Sequence, residues 1–376
     1  MNEFSNALLS KKQFLLSELQ SFGVRLTDTS GAPSRSGGAG PTDHKALTVL
    51  GTTIMVPVHT RGAAHSPYTV GALQHGKAPL FRDGEPMGEV QFPPEPKFYG
   101  LSTSDGIPYW KIAQLHSRDV MASTVLQTCI RYGNSSTKCQ FCAIGESLKA
   151  GRTIAKKTPA QLAEVAVAGR DLDGIRQVVL TTGTPATSDR GAAIMAESAQ
   201  AVKAASGLPV QVQCEPPADF SWFRHMHDAG ADSLGMHLEA WDEDVRRVIM
   251  PGKAEVPVSF YLEAFESAVG VFGRGQVSTY LLAGLGDTAE GLLEASRVLI
   301  ALGVYPFIVP FVPVTGTPLA GHSPPSADFM RAVLPEVGRM LAEAGMTSDT
   351  VKAGCAKCAA CSSLSSFENK KSICAA

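Results

Sequence analysis

The sequence predicts an α/β protein built on an open, partial (β/α)6 barrel, preceded by a small β-rich region and followed by a cysteine-rich tail. Two observations predict it. From about residue 118, apolar strand-like runs alternate with helical stretches six times, which implies a parallel sheet with right-handed crossovers. Three cysteines follow the first of those strands, at the end where barrels carry their active sites. Six units suit an open barrel better than the closed eight-unit one.

The elements run as follows. Residues 1–23 read as an amphipathic helix, with Leu8, Leu9, Phe14, Leu15, Leu16 and Leu19 interrupted by Lys11, Lys12 and Glu18. The Gly/Ser-rich run Ser30 to Asp43 reads as a flexible connector or as a lid or anion-binding loop. Residues 46–92 look β-rich, with Asp83-Gly84 marking a hairpin turn. Phe92-Pro-Pro-Glu-Pro96 is a stiff break near a boundary at about residue 117. Barrel strands are expected at 120–127, 176–182, 208–214, 232–238, 276–282 and 304–312. Helices are expected at 158–170, 190–206, 218–229, 241–248 with 257–272, and 287–302. Thr158-Pro159-Ala160-Gln161 combines an N-cap, a first-turn Pro and a capping-box Gln. The barrel region closes at about 322, and a last helix and the tail fill 323–376.

Composition narrows the function classes. The 376 residues are 44% hydrophobic and carry a net charge of −2, enough apolar material for a large core and no basic excess for a polyanion partner. No apolar run reaches the length of a membrane span, and residues 1–23 lack the form of a signal peptide. A cytoplasmic protein is expected, with neither nucleic acid nor membrane as partner. In that reducing compartment, the two tight cysteine groups favour metal over disulfides.

The first group, Cys129, Cys139 and Cys142, has the spacing C-x9-C-x2-C. Three thiolates can hold three irons of a cubane and leave the fourth open. Structural zinc is the alternative, but no His follows Cys142 within ten residues. The second group, Cys355, Cys358 and Cys361, is C-x2-C-x2-C with Cys374 beyond. It reads as a second metal site: an auxiliary iron–sulfur cluster, zinc, or uncoordinated thiols. Cys374 or Cys214 is the expected fourth ligand. Polar groups also gather at the strand ends. Gln211, Gln213 and Glu215 share one face of the third strand, and His237 and Glu239 one face of the fourth. His237 is a candidate general acid or base, and a buried satisfied pair is its alternative. Cys214 reads as a small buried hydrophobe.

The three-cysteine loop after the first strand, with Phe141 before its last Cys, resembles that of the radical S-adenosylmethionine (SAM) superfamily. The nine-residue first gap departs from the three usual there. The resemblance implies a partial (β/α)6 TIM-type radical SAM barrel binding a [4Fe–4S] cluster and SAM. It implies that Thr182, Gly183 and Thr184 receive the SAM amino group, although the usual acidic residue is missing. Gln213 and Glu239 would join the SAM site, Arg246 or Arg247 would clamp the carboxylate, and Gly286 would sit in an adenine-contacting turn. Glu215 and His237 would act on substrate. The sixth strand's exit, Gly316-Thr-Pro-Leu319, resembles biotin synthase. Longer stretches, among them Ile107-Pro-Tyr-Trp-Lys-Ile112, Val212-Gln-Cys-Glu-Pro-Pro217 and Ile249-Met-Pro-Gly-Lys253, resemble radical SAM proteins encoded beside a nitrilase in gene clusters for nitrile or cyanide use. The expected chemistry is hydrogen abstraction from a small polar substrate, fed by a reductant such as flavodoxin or ferredoxin. Sulfur insertion and a non-catalytic electron carrier are the rival expectations.

Overall fold

A computed structural model describes residues 3–27 and 44–368. The Gly/Ser-rich run and Cys374 lie outside the described residues. The described residues build two sheets. The first has six short strands, Arg25–Leu26, His44–Val49, Thr52–Pro57, Tyr68–Val70, Lys77–Arg82 and Glu85–Gln91. It packs on the helix Glu3–Phe22 around its own core, which includes Leu15, Leu16, Leu19, Leu47 and Val90. Asp83 and Gly84 take positive φ, as a two-residue hairpin turn requires.

The second sheet carries the larger core. Its six parallel strands are β1 (Val120–Thr124), β2 (Gln177–Thr181), β3 (Val210–Gln213), β4 (Ser233–Gly235), β5 (Val277–Ala283) and β6 (Val304–Pro310). They stand in sequence order, with a seventh strand, Gln114–His116, antiparallel beside β1. The two outer strands do not pair, so the curled sheet stays open. Every residue of β1, β3, β4 and β6 is buried, the mark of strands covered on both faces.

Helices Pro159–Asp173, Ala192–Ser206, Ser221–Asp228, Val258–Phe272 and Ala289–Leu302 alternate with the strands. Pro159–Asp173 opens on the expected capping box: Thr158 Oγ1 accepts from Gln161 N at 3.2 Å and Gln161 Oε1 accepts from Thr158 N at 2.9 Å. All the strands but β5 are shorter than expected, β4 most of all. β4 ends at Gly235 because Leu238 N turns to the Thr279 hydroxyl and Glu239 enters the left-handed region at φ 68°. β1 ends at Thr124, where the chain leaves toward the cysteine loop. No helix among the described residues is long and apolar enough to cross a membrane.

Candidate active site

A cavity of about 330 Å³ occupies the barrel interior. Each parallel strand except β4 lines it, and β4 contributes through the segment just beyond its end. Thr181 to Thr184, Glu215, His237 and Glu239 face it from the C-terminal strand ends. Both cysteine groups border the same space.

The nine residues between Cys129 and Cys139 form a compact, pinned loop. Asn134 organises it: its carbonyl accepts from Thr137 N at 3.1 Å and Lys138 N at 2.9 Å, and its Oδ1 accepts from Ser136 N at 3.0 Å. Lys138 lies 4.0 Å over the Tyr132 ring, whose hydroxyl donates to Glu146 at 2.9 Å. Ile130 N donates to Thr184 O at 2.9 Å, Gln140 N to Ile249 O at 2.8 Å and Gly252 N to Thr137 O at 3.2 Å. Two glycines permit this closeness. A Cβ on Gly183 would stand 2.1 Å from Thr128 O, and one on Gly252 would stand 2.6 Å from Thr137 O. The long first gap is thereby taken up against the short helix Pro251–Ala254 without displacing the thiols from the cavity.

The three thiols suit an iron–sulfur cluster. Burial pushes Cys139 up to about 12 and Cys142 up to about 11, so in the metal-free chain both are protonated at neutral pH. A metal replaces those protons. Cations stand ready to balance the thiolates that result: Arg131 near Cys129 and Cys139, Lys138 near Cys142, and Lys253 near Cys139. Burial opposes the charge on Lys253, but Tyr261, Glu239, Glu215 and Cys139 around it raise its pKa well above the usual lysine value.

Arg131 also forms a largely buried ion pair with Glu215 Oε1, which accepts from Thr184 Oγ1 at 2.8 Å. Lys253 Nζ lies 3.3 Å from Glu239 Oε1. Among the cavity-lining residues, two buried polar atoms find no partner: Glu215 Oε2 and His237 Nε2. His237 Nδ1 accepts from Tyr280 N at 3.2 Å, which leaves the proton on Nε2. Burial pulls His237 down to about 4, so it stays a neutral N–H donor at physiological pH. As held, it does not fit the expected role of general base.

Three expected SAM contacts fall outside the cavity, and the expectation is corrected for each. Arg246 is fully buried in the helix Glu243–Ile249 and donates to Leu238 O at 2.6 Å and Val256 O at 2.9 Å; backbone carbonyls occupy the fork a carboxylate would need. Arg247 is exposed and pairs with Asp244. Gly286, at φ 136°, packs on Val245. Gln213 borders the cavity, but its amide donates to Gln211 Oε1 at 2.8 Å and Cys355 Sγ at 3.2 Å, so it serves the tail.

The inward glutamines in fact hold the C-terminal segment. Gly354 N donates to Gln177 Oε1 at 2.6 Å, Cys355 N to Gln211 Oε1 at 3.1 Å and Lys352 N to Gln276 Oε1 at 2.9 Å. Gln177, Gln211 and Gln276 stand at the N-terminal ends of strands, so the second cysteine group enters the barrel from below and the first caps it from above. Among the described residues, no three His, Cys, Asp or Glu side chains converge as a single ion would need. Sequence reasoning missed Lys253, His116 and Tyr280, which line the cavity, and Arg131, which pairs with Glu215 at its edge. Arg131 could have been found as the cation two residues after Cys129.

Residues 132–299 match the model of the Radical SAM superfamily. A curated relative, the bacteriochlorophyllide c C-7(1)-hydroxylase of Chlorobaculum limnaeum, is 33% identical over 125 residues, 33% of this chain. The match covers only 31% of that relative's length. Among solved structures, a methylornithine synthase is 20% identical with a TM-score of 0.44, over 58% of this chain and 60% of that one. A radical SAM methyltransferase from Sphaerobacter thermophilus is 16% identical with a TM-score of 0.45, over 77% and 76%. The family match makes this stretch similar to the radical SAM superfamily and supports an enzyme.

Proposed function

We propose that this protein is a radical SAM enzyme whose [4Fe–4S] cluster is held by Cys129, Cys139 and Cys142, and which abstracts hydrogen from a small substrate in nitrile or cyanide nitrogen metabolism. The observation that carries the reading is one cavity bordered by three half-buried thiols, the Lys253 ammonium and two unpartnered polar atoms, with Arg131 and Lys138 beside the thiols. When bound, the cluster and SAM supply reductive cleavage to methionine and a 5′-deoxyadenosyl radical. The chain's own residues hold, orient and exclude water. Thr182, Gly183 and Thr184 lie where backbone can meet the SAM amino group, and Glu239 with Lys253 offers a charged pair to its polar end. His237 donates from Nε2 to a substrate oxygen or nitrogen, and Glu215 Oε2 accepts. Val179, Leu282, Val309 and Phe311 form an apolar wall, which suits a substrate with a polar head and an apolar side and keeps solvent from a radical.

The tail cysteines are proposed to hold an auxiliary iron–sulfur cluster. Because they face the same cavity, sulfur insertion into the substrate is the second reading, and loss of iron and sulfide from that site during turnover would favour it. A flavodoxin- or ferredoxin-like reductant, no nucleic acid or membrane partner and a cytoplasmic location complete the proposal. The test is 5′-deoxyadenosine formation, followed by mass spectrometry, with anaerobically reconstituted and reduced protein, SAM, and Cys139→Ala as control. Product from wild type alone is expected. No product from protein with a verified reduced cluster, even with small nitriles and their hydrolysis products added, would overturn the reading.

A further inference from the structure

We propose that His116 completes the C-terminal metal site, giving a Cys3His donor set with Cys355, Cys358 and Cys361 for a two-iron, two-sulfide cluster at the barrel floor. This rests on the reading of the tail cysteines as an iron–sulfur site. Of the two expected fourth ligands, Cys374 lies outside the described residues, and Cys214 is buried near Glu215 and Asp189. His116 lies on the antiparallel edge strand, paired with Val120, and its Nε2 stands 3.3 Å from Cys361 Sγ. Two donors at about 2.1 and 2.3 Å from one tetrahedral metal lie roughly 3.6 Å apart. His116 and Cys361 thus already have nearly the separation of ligands sharing one iron.

Cys355 and Cys358 sit one turn apart on the short helix Cys355–Cys358, on one face, as a pair for the second iron. The site is held from both sides before metal arrives. Cys355 N is tied to Gln211, and Ala360 O accepts from Met55 N at 2.8 Å and Gln20 Nε2 at 3.0 Å. Hydrogen-bond donors also point at the sulfurs: Gln213 and Tyr280 at Cys355, and Ser117 at Cys358. Such bonds stabilise thiolate ligands and set cluster potentials.

The test uses the full chain with Cys129, Cys139 and Cys142 replaced by Ala, reconstituted anaerobically with iron and sulfide. About two irons and two sulfides per chain are expected, and pulsed EPR of the reduced protein should show a directly coordinated imidazole nitrogen. In that background His116→Cys should keep the iron and lose the nitrogen coupling. Iron bound without coordinated nitrogen, or a coupling that survives His116→Cys, would overturn His116 as a ligand and leave the auxiliary cluster standing. Binding of no iron, or of zinc alone, would overturn both. If the triple variant does not fold, the same comparison is made between the wild-type chain and His116→Cys.

Discussion

Replacing Arg131 with Met should destabilise the metal-free chain by about 3 kcal/mol. Arg131 and Glu215 have side chains only 14% and 10% exposed, and removing one partner of a buried pair strands the other charge at about 3–5 kcal/mol. Lys253 remains in Glu215's field, which puts Arg131→Met at the lower end. Glu215→Gln strands the guanidinium and should cost a similar amount. In the double variant no charge is stranded, and Thr184 can still donate to the Gln amide oxygen. The double should therefore cost well under the sum, with a coupling of at least about 2 kcal/mol. Urea midpoints of the four proteins, compared at a common slope, measure this cycle. Additive losses, or singles that each cost under about 1 kcal/mol, would refute the claim that the pair fastens the cysteine loop to β3.

His237 predicts a pH effect. The unfolded imidazole takes a proton near 6.5, the folded one only near about 4, so stability is full above 6.5 and falls as pH drops from there to 4, by up to about 3 kcal/mol. His237→Gln should flatten that acid limb in urea titrations at pH 7 and 4.5, and an unchanged limb would count against a buried neutral imidazole. Gly354→Ala should unseat the tail, since a Cβ at φ 102° would stand 2.0 Å from the Gln211 amide. A loss of about 1–3 kcal/mol and a selective fall in iron bound at the second cysteine group are expected, and iron analysis in the Cys129, Cys139 and Cys142 triple-Ala background measures it.

Parts of this molecule were legible because they depend on neighbours in sequence. The Thr158 capping box, the Asp83-Gly84 turn and the βα alternation are local, and each has a physical signature in a few residues. The face shared by Gln211, Gln213 and Glu215 was readable from period two, but its purpose was not. Two of those side chains meet a tail more than 140 positions away, while only Glu215 offers an unpartnered atom to the cavity. Arg246 misled for the same reason: which carbonyls its guanidinium meets depends on how the chain folds back at Leu238 and Val256. His116 carried no signal at all, being 245 residues from Cys361.

The tail beneath the barrel has a consequence for how the protein is made. Gly354 bonds to Gln177, Ser233 Oγ donates to Ala353 O, and Glu368 accepts from Tyr305 and Ser348. These floor contacts belong to the last stretch of the described chain to leave the ribosome, so all six strands are synthesised before anything can close them from below. Until that stretch folds back, the first cysteine group borders a space that lacks its floor, and the second group is not yet beside it. Metal delivery to the lower group therefore has a natural order relative to translation, and a chain stopped near residue 350 would lose the barrel floor along with its last three described cysteines rather than a dispensable end.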